Sequence, residues 1–116
     1  MRIAIQGSRA FNQYDVFLNG MGRSLSMMDS DDKEFLIYSA GPVRVNEMGM
    51  EFSNVSERSL KARGIKIRLF KVPPSWIKEN IYDIDYFVYF CNKKEPVSSL
   101  VDFAEKKDIE VGIYRF

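Results

Sequence analysis

Short apolar runs alternate with longer amphipathic segments along the whole chain. The near-continuous apolar runs FLIYSA (35–40) and DYFVYF (85–90) are typical of strands buried on both faces of a parallel sheet. A short strand is predicted at 3–5, two residues before Gly7, and a last strand at 110–116. This pattern favours an α/β protein with its central strands under helices.

One run alternates between apolar and charged residues over most of its length and predicts an edge strand. In IKIRLF (65–70), apolar side chains take every second position, so only one face of the strand meets a core. The expected inward side chains are Ile65, Ile67 and Leu69, and the opposite face carries Lys66, Arg68 and Phe70.

Three amphipathic segments separate the strands and predict helices over 14–28, 44–63 and 97–107. Gly64 stands where a helix C-cap is expected. Pro96 stands where a proline in the first helical turn is tolerated.

The resulting strand and helix order predicts one domain over residues 1–116, built on an open sheet of about five mainly parallel strands. Right-handed crossovers favour the strand order 3-2-1-4-5, with helices on both faces. In such a sheet ligands bind beyond the carboxyl ends of the strands, where the strand order reverses. That crevice is expected between strands 1 and 4.

The turn Gly7-Ser8-Arg9 follows strand 1 directly, so it is a candidate ligand site. Gly7 permits close backbone approach, Ser8 is a hydrogen-bond donor, and Arg9 offers a planar guanidinium for an anion. The alternative is structural: Gly7 only permits a turn and Ser8 caps it. Arg9 is then a clamp to a carboxylate such as Glu47.

A second candidate turn follows strand 2. Ser39, Gly41, Arg44 and Asn46 are expected to face the same crevice, and Asn92 after strand 4 completes the candidate ligand-binding set. The alternative is that this segment is only the start of a helix.

Composition narrows the chemistry further. The 116-residue chain is 46% hydrophobic, carries a net charge of +1, and contains no histidine and one cysteine. Histidine-dependent catalysis, histidine-containing metal sites and an intrachain disulfide are therefore excluded. We expect no metal site and no cofactor.

Six of the 17 positive charges fall within residues 58–71, without an acidic residue among them. Such a run, with Phe70 beside it, is able to hold a nucleic-acid backbone and stack a base. The alternative is structural: the same charges are typical of a solvated helix end and of an edge strand that Lys and Arg protect from aggregation. The second interpretation is favoured, so nucleic acid is not the expected partner, and this run is the only hint of one.

The motifs together resemble the YspA-like branch of the SLOG superfamily. Gly7-Ser8-Arg9 matches that family's turn after strand 1, and Trp76 matches an aromatic segment near the end of strand 3. The chain departs from the family at 39–42, where Ser-Ala-Gly-Pro replaces a double-glycine turn, and it lacks the segment A-G-x-x-R-N. The resemblance implies a shortened, divergent Rossmann-like domain that binds a nucleotide or a nucleotide-derived molecule.

Three functions are therefore considered, in decreasing order of preference. The first is binding of a nucleotide-type ligand at the carboxyl ends of strands 1, 2 and 4. The alternative is a non-catalytic interaction or inhibitor protein, for instance a phage-encoded one that binds a host protein. The last is hydrolysis of a nucleotide derivative, for which Glu47 is the only obvious catalytic carboxylate. A protein without enzymatic activity is therefore favoured over an enzyme.

The remaining expectations concern location and assembly. No apolar run approaches the roughly 20 residues that cross a bilayer, and no signal-peptide pattern precedes strand 1, which favours a cytoplasmic protein without membrane contact. The amphipathic helices and the 14% aromatic content favour a homodimer.

Overall fold

The computed structural model describes residues 1–116 and alternates strands with helices along the chain. The strands are β1 (Arg2–Gly7), β2 (Glu34–Ser39), β3 (Lys66–Lys71), β4 (Tyr86–Cys91) and β5 (Val111–Arg115). The helices are α1 (Tyr14–Ser26), α2 (Val43–Ala62), α3 (Pro74–Glu79) and α4 (Ser99–Lys106), with a 3-10 turn at Ile81–Asp83. None of these helices combines the length and apolarity that a membrane crossing requires.

The five strands form one parallel sheet in the order β3-β2-β1-β4-β5, which confirms the predicted α/β class and strand order. The fold is consistent with a Rossmann-like architecture. β1 lies between β2 and β4, and Gly7 at its end is in register with Phe90. The strand order therefore reverses between β1 and β4, as expected from the sequence.

Helices α1 and α2 cover one face of the sheet and form its larger core. Phe17 of α1 is fully buried against Phe90, with ring centroids 4.8 Å apart. Gly20 lets α1 come this close, because a Cβ there would lie 2.7 Å from the Phe90 ring. Aromatic packing thus fixes α1 over the centre of the sheet.

The opposite face has shorter helical cover. α3, the 3-10 turn and α4 bury side chains such as Ala4, Phe87 and Leu100. The cover does not extend over β3, where Lys66, Arg68 and Phe70 are exposed, while the intervening residues pack against the larger core. The predicted alternation of this edge strand is therefore confirmed.

The helix ends agree with the sequence at one position and differ at another. Gly64 follows α2 with a φ of 77° and donates its N–H to the Lys61 carbonyl at 2.9 Å, which confirms the predicted terminator. The prediction for Pro96 was wrong, because α4 begins only at Ser99. Pro96 instead belongs to the loop between β4 and α4, which Glu95 ties to neighbouring segments.

Candidate functional site

Backbone hydrogen bonds at the carboxyl edge of the sheet join β1 and the turn after it to the turn after β2 and to the end of β4. The Gly7 N–H donates to the Gly41 carbonyl at 3.0 Å, and the Ser8 N–H donates to the Phe90 carbonyl at 2.8 Å. The structure thus brings the sequence-predicted turns together. These two N–H groups are used within the protein, so they are not free to bind an anion.

Glu95 is the central polar residue of this edge, and the sequence analysis did not identify it. Its Oε1 accepts hydrogen bonds from Ser8 Oγ at 2.8 Å and from the Asn92 N–H at 2.7 Å. Arg115 at the end of β5 donates to the Glu95 carbonyl at 2.6 Å. The only feature of the sequence that indicates this role is the position of the carboxylate, a few residues after a buried strand.

Gly7 is required by packing. A Cβ at this position would lie 2.6 Å from Val45 Cγ2 and 3.2 Å from the Phe90 carbonyl oxygen. The absent side chain therefore lets α2 approach the end of β1, which is a recognised use of glycine in sheets of this type. Gly41 differs, because its φ of 86° favours glycine on conformational grounds alone.

Ser39 and Asn46 form an internal pair. Ser39 is fully buried, and its hydroxyl donates to Asn46 Oδ1. Asn46 Nδ2 lies 4.0 Å from the position that a Cβ of Gly41 would take, with no other atom nearer. The amide is thus held beside a turn that leaves space next to its backbone, while Ser39 is positioned to orient it.

Arg9 and Arg44 are exposed and form no ion pair, since the single ion pair of the protein joins the Met1 amine to Asp32 at 3.5 Å. The structure therefore contradicts the clamp between Arg9 and Glu47, because both side chains extend into solvent. Arg9 lies in the turn after β1 and Arg44 in the first turn of α2, and the Gly7–Gly41 hydrogen bond connects the segments that precede them.

The start of α2 offers unpartnered donors at the same edge. Pro42 occupies the N-cap position, and no side chain caps the helix. The N–H groups of Val43 and Arg44, both exposed residues, find no acceptor within the protein. A positive helix end and two free guanidinium groups therefore lie at one edge of the sheet.

Neither Cys91 nor Asn92 offers an activated group. Burial raises the pKa of the Cys91 thiol, and the nearby Glu95 carboxylate raises it further, although Arg115 opposes this. A thiol of raised pKa is a weak nucleophile at neutral pH. Asn92 contributes its backbone N–H to Glu95 and is half-buried.

The surface has two concave regions, and neither lies at the carboxyl edge. A groove of about 420 Å³ lies between the end of α2 and the first half of β3. A smaller one of about 300 Å³ lies near Met1 and Asp85 at the amino edge. The candidate site is therefore a shallow surface.

No family model, curated protein or solved structure matches this chain. The resemblance to the SLOG superfamily accordingly remains a hypothesis based on the Gly7-Ser8-Arg9 turn and Trp76.

Proposed function

We propose that the protein binds a small anionic ligand of the nucleotide type at the carboxyl edge of the sheet. The observation that carries this proposal is the uncapped start of α2, which lies at the same carboxyl edge of the sheet as the turn that carries the unpaired Arg9, while the unpaired Arg44 belongs to the first turn of α2. A phosphate group is the natural ligand for such a combination. It accepts hydrogen bonds from helix N–H groups and from the planar fork of an arginine.

The proposed contacts differ from the residues that position them. Arg9, Arg44, the Val43 N–H and the Asn46 amide are the groups free to meet a ligand, and Gly41 leaves space next to them. The hydroxyls of Ser8 and Ser39 already have acceptors within the protein. Gly7, Ser8, Ser39 and Asn92 are thus proposed to shape the site.

Binding without turnover fits the available groups best. Glu47 is exposed, and no hydrogen bond or ion pair orients its side chain. Hydrolysis of a nucleotide derivative would require a carboxylate or a base held against the ligand. The shallow surface also fits the alternative function, an interaction or inhibitor protein, and the experiment below separates the two.

Isothermal titration calorimetry with adenosine monophosphate, ADP-ribose and inorganic pyrophosphate tests the proposal. We expect at least one of these probes to bind. Arg9→Ala and Arg44→Ala should each weaken that binding by about 10- to 100-fold, as expected for a charged hydrogen bond. Arg2→Ala is the matched control, because Arg2 is an exposed arginine at the opposite edge of the sheet.

Thermal unfolding of the same variants completes the experiment. Substituting an exposed, unpaired arginine should leave the melting temperature nearly unchanged. Absence of binding for all three probes at millimolar concentration would overturn the proposal and favour the interaction protein. A lower melting temperature with unchanged binding in Arg9→Ala would also overturn it, since Arg9 would then be structural.

A further inference from the structure

Three aromatic side chains stack on the face of the sheet that α3 and α4 leave partly open. The ring centroids of Tyr38 and Phe70 are 5.2 Å apart at an interplanar angle of 18°. The Tyr38 and Trp76 rings are 4.5 Å apart at 21°. Tyr38 is in register with Phe70 on the neighbouring strand, and Trp76 reaches the stack from α3.

Phe70 is the exposed end of this stack. It is 38% exposed, whereas Tyr38 and Trp76 are half-buried. β3 is the edge strand, so no further strand follows Phe70 on that side. A large aromatic side chain thus remains open to solvent at the end of an ordered stack, where a further planar ring can be added.

Positive charges continue the same row of β3. Lys66 and Arg68 alternate with Phe70 on one face of the strand, and all three are exposed. Neither cation forms an ion pair, although Glu34 is in register with Lys66 on β2. The row is therefore basic and aromatic, and neither of its cations is held in an ion pair.

The larger groove of the protein extends this row around the sheet edge. It has a volume of about 420 Å³ and is lined by Lys61 of α2 together with Lys66 and Arg68. Glu57 is the one acidic side chain in the lining. The groove thus carries three cationic side chains against one carboxylate, and it shares Lys66 and Arg68 with the row that ends at Phe70.

We propose that this surface, formed by Lys61, Lys66, Arg68, Phe70, Tyr38 and Trp76, binds single-stranded nucleic acid. The groove cations neutralise the phosphate backbone, and a base adds to the stack at Phe70. Stacking platforms combined with a basic channel are the general physical basis of single-strand binding. This surface is distinct from the carboxyl-edge site, and the inference does not depend on the function proposed there.

The aromatic stack favours a single strand over the other polyanions. In a duplex the base faces are already stacked on one another, so Phe70 cannot reach them. An acidic protein segment would satisfy Lys61, Lys66 and Arg68 but would leave the planar stack without a matching ring. Charge complementarity and stacking therefore select the same ligand.

Fluorescence anisotropy with a labelled oligothymidylate of about 12 nucleotides at low salt tests the proposal, because single-strand sites of one domain span about 4–16 nucleotides. Phe70→Leu should weaken binding at least about fivefold through lost stacking. Lys66→Ala and Arg68→Ala should each reduce the slope of log affinity against log salt by about 0.7.

Matched controls come from exposed residues outside the surface. Tyr82 is 77% exposed, and Lys106 lies on α4, so Tyr82→Leu and Lys106→Ala should leave affinity and salt slope unchanged. Trp76 is the only tryptophan, and its intrinsic fluorescence should change when the oligonucleotide is added. Arg9→Ala should bind the oligonucleotide normally, which separates this surface from the carboxyl-edge site.

Several results would overturn the inference. One is no binding of single-stranded DNA or of the matching RNA at about 100 µM protein, far above the range of a specific complex. Equal affinity for a duplex of the same length, or equal weakening by the control variants, would indicate charge attraction alone. Binding of polyglutamate in place of the oligonucleotide would assign the surface to an acidic protein segment.

Discussion

Ser8 Oγ donates a 2.8 Å hydrogen bond to Glu95 Oε1, which joins the turn after β1 to the loop after β4 across 87 positions of sequence. The same carboxylate oxygen also accepts the Asn92 N–H. Arg115 holds the Glu95 carbonyl from the other side of the loop. One carboxylate therefore adds side-chain hydrogen bonds to the backbone hydrogen bond that already ties the turn after β1 to the end of β4.

Substituting this carboxylate should destabilise the protein. Glu95→Ala leaves the Ser8 hydroxyl and the Asn92 N–H without their acceptor, and we expect a loss of about 1–2 kcal/mol in the free energy of unfolding. Urea denaturation measures it. Glu105→Ala, at an exposed position of α4, is the control and should have little effect. A double-mutant cycle with Ser8→Ala should give a non-zero coupling, and strict additivity would contradict the bond.

Two glycines should respond in opposite directions to alanine. Gly7→Ala places a Cβ 2.6 Å from Val45 Cγ2, so α2 has to shift, and we expect about 1–3 kcal/mol of destabilisation. Gly22 is exposed within α1 and has no atom within 4 Å of its Cβ position. Gly22→Ala should therefore stabilise by about 0.5–1 kcal/mol. A calorimetric melting temperature that does not fall for Gly7→Ala would contradict the packing role of Gly7, and one that falls for Gly22→Ala would contradict the prediction for Gly22.

Alkaline stability should depend on Tyr86. Burial raises the pKa of this phenol above its ordinary value of 10.0, and the neighbouring Tyr114 hydroxyl raises it further. The folded protein thus keeps a proton that the unfolded chain loses near pH 10, so stability is full below that pH and declines above it.

Tyr86→Phe removes this titration and should flatten the decline, seen as urea midpoints between pH 9 and about 11. The decline should not vanish, because burial also raises the pKa of Tyr14 and Tyr89. Identical pH profiles for the variant and the wild type would contradict the assignment.

Self-association is a further prediction. Val43 and Val55 on α2 are each 72% exposed, and two-fold homodimers are the commonest oligomers. We expect sedimentation velocity to show a dimer at about 100 µM, a concentration at which interfaces of standard size are occupied. A monomer at that concentration would contradict the prediction.

The sequence predicted the strand order because its signals are local. The apolar runs at 35–40 and 85–90 identify buried strands. The right-handedness of the crossover connections then determines the order of the strands in the sheet. Glu95 could not be predicted, because its role depends on a partner 87 positions away. The reason for Gly7 was likewise hidden, since only the packed structure shows Val45 against it.

The alternative interpretation of Arg9, a clamp to Glu47, is contradicted for a related reason. The sequence places both residues near the carboxyl edge, but this does not decide whether two long exposed side chains pair. A surface ion pair contributes little free energy, because water solvates the separate charges almost as well. The stack of Tyr38, Phe70 and Trp76 was also not foreseen. It requires the strand register and the placement of α3 together.

The central place of β1 has a consequence for how the chain folds during synthesis. β1 pairs with β2, which ends at Ser39, on one edge and with β4, which ends only at Cys91, on the other, so its second partner is synthesised much later. Until then a strand whose Ile3 and Ile5 are fully buried in the native sheet has an open edge. Nascent chains stalled after β3 should therefore be prone to aggregation and bind chaperones, whereas chains that have emerged through β5, which covers the remaining edge of β4, should not.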